Sequence, residues 1–110
     1  MHELAIAESV VSTIAERLGD RAVRVVHLEV GQLSGVSADS LRFSFEVVVM
    51  GTALAEAELI IDEPCGQAEC ATCGETFLVA DLILLCACGS SDVRVLAGED
   101  LKILSVEVAR

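Results

Sequence analysis

The chain has no tryptophan, no tyrosine and three phenylalanines, and only 7 of its 110 residues are lysine or arginine. Each scarcity closes off a class of function. Binding nucleic acid through counterion release needs clustered cations, and single-strand recognition adds aromatic platforms for base stacking. Neither resource exists here, and 18 acidic residues leave a net charge of −11. That charge disfavours anionic membrane surfaces and suits cations or a basic partner face. No apolar run approaches the roughly 18 residues of a membrane span. The N-terminus lacks the basic, apolar, small-residue order of a signal peptide, so a cytoplasmic location is expected. There is also no paired general acid and base, no nucleophile triad and no phosphate-cradling glycine loop, so an enzyme is not expected.

What is present is apolar and regularly spaced. A hydrophobic content of 54% suffices for one compact domain with a small insert. Leu4, Ala7, Val10, Val11, Ile14, Ala15 and Leu18 follow the three-four spacing of one helix face, and Gly19 is the expected stop. Residues 22–30 are rich in β-branched side chains, with Val26, Leu28 and Val30 alternating against Val25, His27 and Glu29, which predicts a strand. Ser37 is a candidate N-cap for a second helix of about 13 residues striped by Ala38, Leu41, Phe45 and Val48. Phe43, Phe45 and Met50 suggest that this helix is buried on more than one side. Strands are expected at 58–63, before the only proline, Pro64, and at 101–108, with Leu104, Val106 and Val108 on the apolar face. The fold class is therefore α+β: two helices with a three-stranded sheet, interrupted by an inserted zinc-ribbon-like module. Residues 1–64 with 97–110 form the platform and 65–96 the insert.

The insert has few long apolar periodicities and needs a metal to hold it. Cys70-Ala-Thr-Cys73-Gly74 is a metal knuckle in which two intervening residues turn both sulfurs toward one ion. Cys86-Ala-Cys88-Gly89 is a second knuckle, one residue shorter. Four thiolates suit a closed tetrahedral Zn(II) with a structural role; iron, as in a rubredoxin-like electron carrier, or a redox cysteine pair are the alternatives. Cys65 is left over and is an alternative ligand should the short knuckle not close.

The other chemistry-bearing stretch is Met1-His2-Glu3. A terminal amine, the next backbone nitrogen and the His2 imidazole can close adjacent chelate rings, a planar nitrogen set suited to Ni(II) or Cu(II). Imidazole and amine are both available as neutral donors near neutral pH. Glu3 can contribute its backbone nitrogen or orient His2 through its carboxylate. His27, in mid-strand, reads as a structural or surface residue with a secondary metal contact as the alternative. Asp39, in the first turn of the second helix, reads first as a dipole-stabilising carboxylate.

Met1-His2-Glu3-Leu4, Val30-Gly31-Gln32-Leu33-Ser34-Gly35-Val36, Asp39-Ser40-Leu41-Arg42-Phe43 and the two cysteine pairs ending in Cys88-Gly89-Ser90 resemble, in order and spacing, the HypA/HybF family of hydrogenase nickel-incorporation proteins. The resemblance implies a nickel metallochaperone that loads Ni(II) into the large-subunit precursor of a [NiFe]-hydrogenase, with urease as a further target in some relatives. It implies work with a nickel-handling GTPase, HypB, and allows a homo-oligomer. It makes His2 the principal nickel ligand, with Met1 and Glu3 supplying flanking nitrogens, Asp39 an additional carboxylate and the zinc structural. The short second knuckle departs from the family's usual spacing, and Cys65 has no role in its pattern. A zinc-ribbon interaction adaptor without nickel transfer is the rival reading.

Overall fold

The structure, a computed structural model, describes residues 2–109. Helix α1 spans Glu3–Leu18 and buries Ala7, Val10, Val11 and Ile14, the stripe its spacing predicts. It stops where Gly19, at φ 64°, turns the chain while its N–H still donates to the Ala15 carbonyl. Strand β1 is Val23–Val30, with Val26, Leu28 and Val30 inward. Helix α2 is Ala38–Val48, 11 residues rather than about 13, and the Ser37 hydroxyl caps it by accepting from the Ser40 N–H at 3.2 Å. Strand β2 follows at Glu58–Asp62.

The chain then leaves this layer for three short strands, β3 at Gly66–Cys70, β4 at Thr76–Val79 and β5 at Val93–Ala97, and returns as β6 at Leu101–Val108. The first sheet has the order β2-β1-β6, parallel across β1 and β2 and antiparallel across β1 and β6. Helix α2 is the crossover a parallel pair requires. Both helices pack together on one face of this sheet over a core that includes Val26, Leu28, Leu41, Phe45 and Leu54. The second sheet, β4-β3-β5, is antiparallel throughout.

Three expectations change. Phe43 and Met50 do not join a core: α2 meets the sheet and α1 with Leu41 and Phe45 and leaves Phe43 and Met50 in solvent. In β6 it is Ile103, not Leu104, that packs inward beside Val106, because an irregularity in the pairing with β1 skips Leu104. The stretch 65–96 is more ordered than its patterning suggests. In β3, Gly66, Ala68 and Cys70 are buried while Gln67 is exposed, an alternation too short and too weakly apolar to read as a strand.

The two sheets meet at a backbone junction. Gly31 donates to the Asp100 carbonyl at 2.8 Å, Gln32 to that of Pro64 at 3.0 Å and Leu33 to that of Gly98 at 2.8 Å. Leu33 then inserts beside Ala68 and Val79 in the second core. A Cβ on Gly31 would overlap the Gly98 carbonyl, and one on Gly66 would overlap the Leu33 side chain, so glycine at both places is what permits the approach.

Candidate metal sites

The cysteine cluster is built by turns of β3–β4 and of the segment before β5. In the first knuckle the Cys70 N–H donates to the Glu75 carbonyl and the Gly74 N–H to that of Cys70, both at 2.9 Å. In the second, the Cys86 N–H donates to the Ser90 carbonyl at 3.0 Å and the Gly89 N–H to that of Cys86 at 2.9 Å. The shorter spacing therefore still closes a turn. The knuckles are tied by the Thr72 and Ser90 hydroxyls, 2.8 Å apart, and by the Ala71 N–H on the Asp92 carbonyl at 2.9 Å.

The four Sγ atoms of Cys70, Cys73, Cys86 and Cys88 lie within 4.8 Å of one another. Cys70 and Cys88 are 3.7 Å apart, Cys73 and Cys86 3.6 Å. A tetrahedral ion bonded to sulfur at about 2.3 Å requires ligand edges of about 3.8 Å. The donor set and spacing fit such an ion. Cys70 and Cys86 are buried, Cys73 and Cys88 exposed. Hydrogen bonding from the Cys73 N–H, aided by that of Thr72, draws the Cys70 thiol down to about 6. Cys73 and Cys86 move up. The Glu75 N–H lowers Cys73, but the Cys86 thiol and burial outweigh it; the Cys88 N–H and the Cys73 thiol lower Cys86, but burial with the Cys88 and Cys70 thiols outweighs them. Crowded sulfurs resist further deprotonation until a cation neutralises them. Cys65 stands outside the cluster, its thiol 3.4 Å from the Val79 carbonyl it donates to.

At the other end, His2 sits in the N-cap position of α1, exposed, and its carbonyl accepts from the Ile6 N–H at 3.0 Å. Glu3 Oε2 accepts from the Ser37 N–H at 3.0 Å, tying the start of α1 to the start of α2. That bond is the first cause of a Glu3 pKa below the usual carboxylate value, followed by the residue's own N–H. An open groove of about 770 Å³ runs between the helices, lined by His2, Glu3, Glu8 and Asp39 with Leu4 and Phe43. The lining thus collects an imidazole and three carboxylates along one groove, an arrangement that attracts cations. Met1 lies outside the described residues.

His2 and Asp39 thus share a groove although 37 positions separate them, as one turn of α2 is carried to the start of α1. His27 does not join them. It points from β1 to the sheet face away from the helices, 3.0 Å from the Asp62 carboxylate but with no hydrogen bond of acceptable direction at Nε2. Three participants went unread in the sequence. Glu8, the Glu3–Ser37 tether and the Thr72–Ser90 link each depend on long-range proximity; only the placement of Glu8 one turn beyond Leu4 offered a local hint.

Fold and sites together define a small α+β metal-binding protein in which a helix-covered sheet carries a four-cysteine module. Residues 1–108 match the family model described as hydrogenase/urease nickel incorporation, metallochaperone, HypA, and the chain belongs to that family. It is 41% identical over 109 residues to the hydrogenase maturation factor HypA of Geobacter metallireducens, covering 98% of this chain and 99% of the relative. With the factor of the same name from Prosthecochloris aestuarii it shares 40% over 110 residues, covering 96% and 97%. The solution structure of the Ni metallochaperone HypA from Helicobacter pylori superposes with a TM-score of 0.66 at 23% identity, covering 98% of this chain and 97% of that one, a likeness of fold.

Proposed function

We propose that this protein is a nickel metallochaperone that delivers Ni(II) for maturation of a [NiFe]-hydrogenase, with urease a further target. The observation that carries this reading is the groove that both His2 and Asp39 line, at whose mouth the Glu3 carboxylate ties the chain start to Ser37 at the start of α2. His2 is the principal ligand, the Met1 amine and the main-chain nitrogens of His2 and Glu3 complete a planar set, and Asp39 is an additional contact. The Glu3 carboxylate acts as a positioning group, since it is already engaged by the Ser37 N–H.

Transfer proceeds by ligand exchange. Planar Ni(II) leaves its axial faces open, so acceptor thiolates can displace nitrogen donors one at a time. Cys70, Cys73, Cys86 and Cys88 hold a structural Zn(II), which supplies no reaction chemistry and only locks the two knuckles together. Residues 1–64 with 97–110 act as the nickel-binding domain and 65–96 as the zinc-binding domain. The partners are the GTPase HypB and the hydrogenase large-subunit precursor, met in the cytoplasm; the chain itself catalyses nothing.

Calorimetric Ni(II) titration of zinc-loaded protein with a native start, beside His2→Ala, tests this. The expected result is one nickel bound by the native protein and lost in the variant, with one zinc retained in both. Nickel binding that survives the substitution, or that is equal when extra residues precede Met1, overturns the N-terminal site and leaves the zinc-ribbon adaptor as the account.

A further inference from the structure

The outward face of α2 is unusual for a solvated helix. Phe43 is 68% exposed, Val47 50% and, just past the Val49 cap, Met50 72%. Spacings of four and three put them on one line, the d-a-d positions of a heptad seam. The positions flanking that seam on one side, both g in the same lettering, are Asp39 and Glu46. Neither forms an ion pair among the described residues. The line begins at the His2 groove, which Phe43 itself lines together with Leu4.

From this we propose that the outer face of α2 is a docking seam for an amphipathic helix of a partner protein, apolar along its a and d positions and basic at e and g. Charge decides the occupant. Two copies of this face would set acid against acid on chains already carrying −11, so self-pairing is opposed, while a basic-flanked helix is steered in and held in register. A partner docked there lies beside His2, which places an acceptor or donor of metal at the groove. The seam's geometry is independent of the nickel reading; its purpose rests on it.

The probe is a three-heptad synthetic helix with leucine at a and d and lysine at e and g, compared with its glutamate counterpart, each titrated into zinc-loaded full-length protein by fluorescence anisotropy. The lysine helix binds and the glutamate helix does not. Phe43→Ser weakens binding about tenfold or more, and Glu46→Lys narrows the preference for the lysine helix. Both positions are exposed, and unchanged circular dichroism and zinc content verify folding. His2→Ala leaves helix binding intact, so failure of the nickel site and failure of the seam are read separately. Equal binding of both helices, or indifference to Phe43→Ser, overturns the proposal. So does a dimer in sedimentation velocity that Phe43→Ser dissociates, which assigns the seam to a second copy.

Discussion

The two sheets of this protein are stabilised by different means. The sheet β2-β1-β6 lies under two helices and shares with them a core of twelve buried apolar residues, enough to need no metal. The sheet β4-β3-β5 has three, and one of them, Leu33, comes from the β1–α2 connection outside the module. A core that small cannot offset the entropy of ordering some thirty residues, so on the proposed zinc reading the stability of the module comes from the cysteine cluster. The contrast extends to function. The layer with the larger core carries the groove that His2 and Asp39 line, and the module carries the four clustered thiols.

The largest test of that contrast is removal of the cluster. Cys73→Ser, or chelation of the native protein, should abolish amide protection through β3, β4 and β5 while α1, α2 and β1 stay protected. A structural zinc in a small module carries folding free energy on the order of 10 kcal/mol, far more than the second core can supply. Hydrogen exchange followed residue by residue reads this directly; protection that persists in β3 would show that the apolar core suffices.

A smaller effect is expected at the seam between the regions. Gly66→Ala drives a methyl group into the Leu33 side chain and the Val79 carbonyl, a clash of overpacking that costs about 1–3 kcal/mol. Denaturant unfolding of zinc-loaded protein should show that loss, with amide shifts at Leu33 and across the Gly31–Asp100 contact. A change confined to the module would make the junction a passive linker.

The smallest effect is one of pH. Glu3 has a lowered folded pKa, so its tether to Ser37 is complete above the ordinary value of 4.5 and is lost only as pH falls through the lower folded value. Above pH 4.5 the Ser37 amide resonance should therefore stay constant even as protons compete with nickel for its ligands. A Ser37 shift that tracks the loss of nickel would transfer the pH sensitivity from the ligands to the tether.

Much of this was readable one-dimensionally where local pattern is strong. The α1 stripe and Gly19, the alternation of Val26, Leu28 and Val30, the Ser37 cap and the limits of β6 all follow from periods of 3.6 or 2 and from capping chemistry. Phe43 and Met50 misled because hydrophobicity reports a need for burial without saying by what, and the partner face is absent from the isolated chain. Leu104 misled because the pairing irregularity belongs to two strands, not one. The strands of the module escaped notice because Gly66, Ala68 and Cys70 are small and their alternation is short.

The sequence by itself determined both helices and the strands of the first sheet, the acidic surface, the two cysteine knuckles and the membership of a nickel-incorporation family. Tertiary structure alone decided that Cys70 approaches Cys88 and Cys73 approaches Cys86, that Glu3 reaches Ser37 across 34 positions, that Leu33 serves the other sheet, and that Asp39 and His2 line one groove. The physical reason is range. Periodicity, caps and knuckle spacing are properties of a few consecutive residues, whereas which side chains meet depends on how whole helices and strands pack once their apolar faces have been buried together.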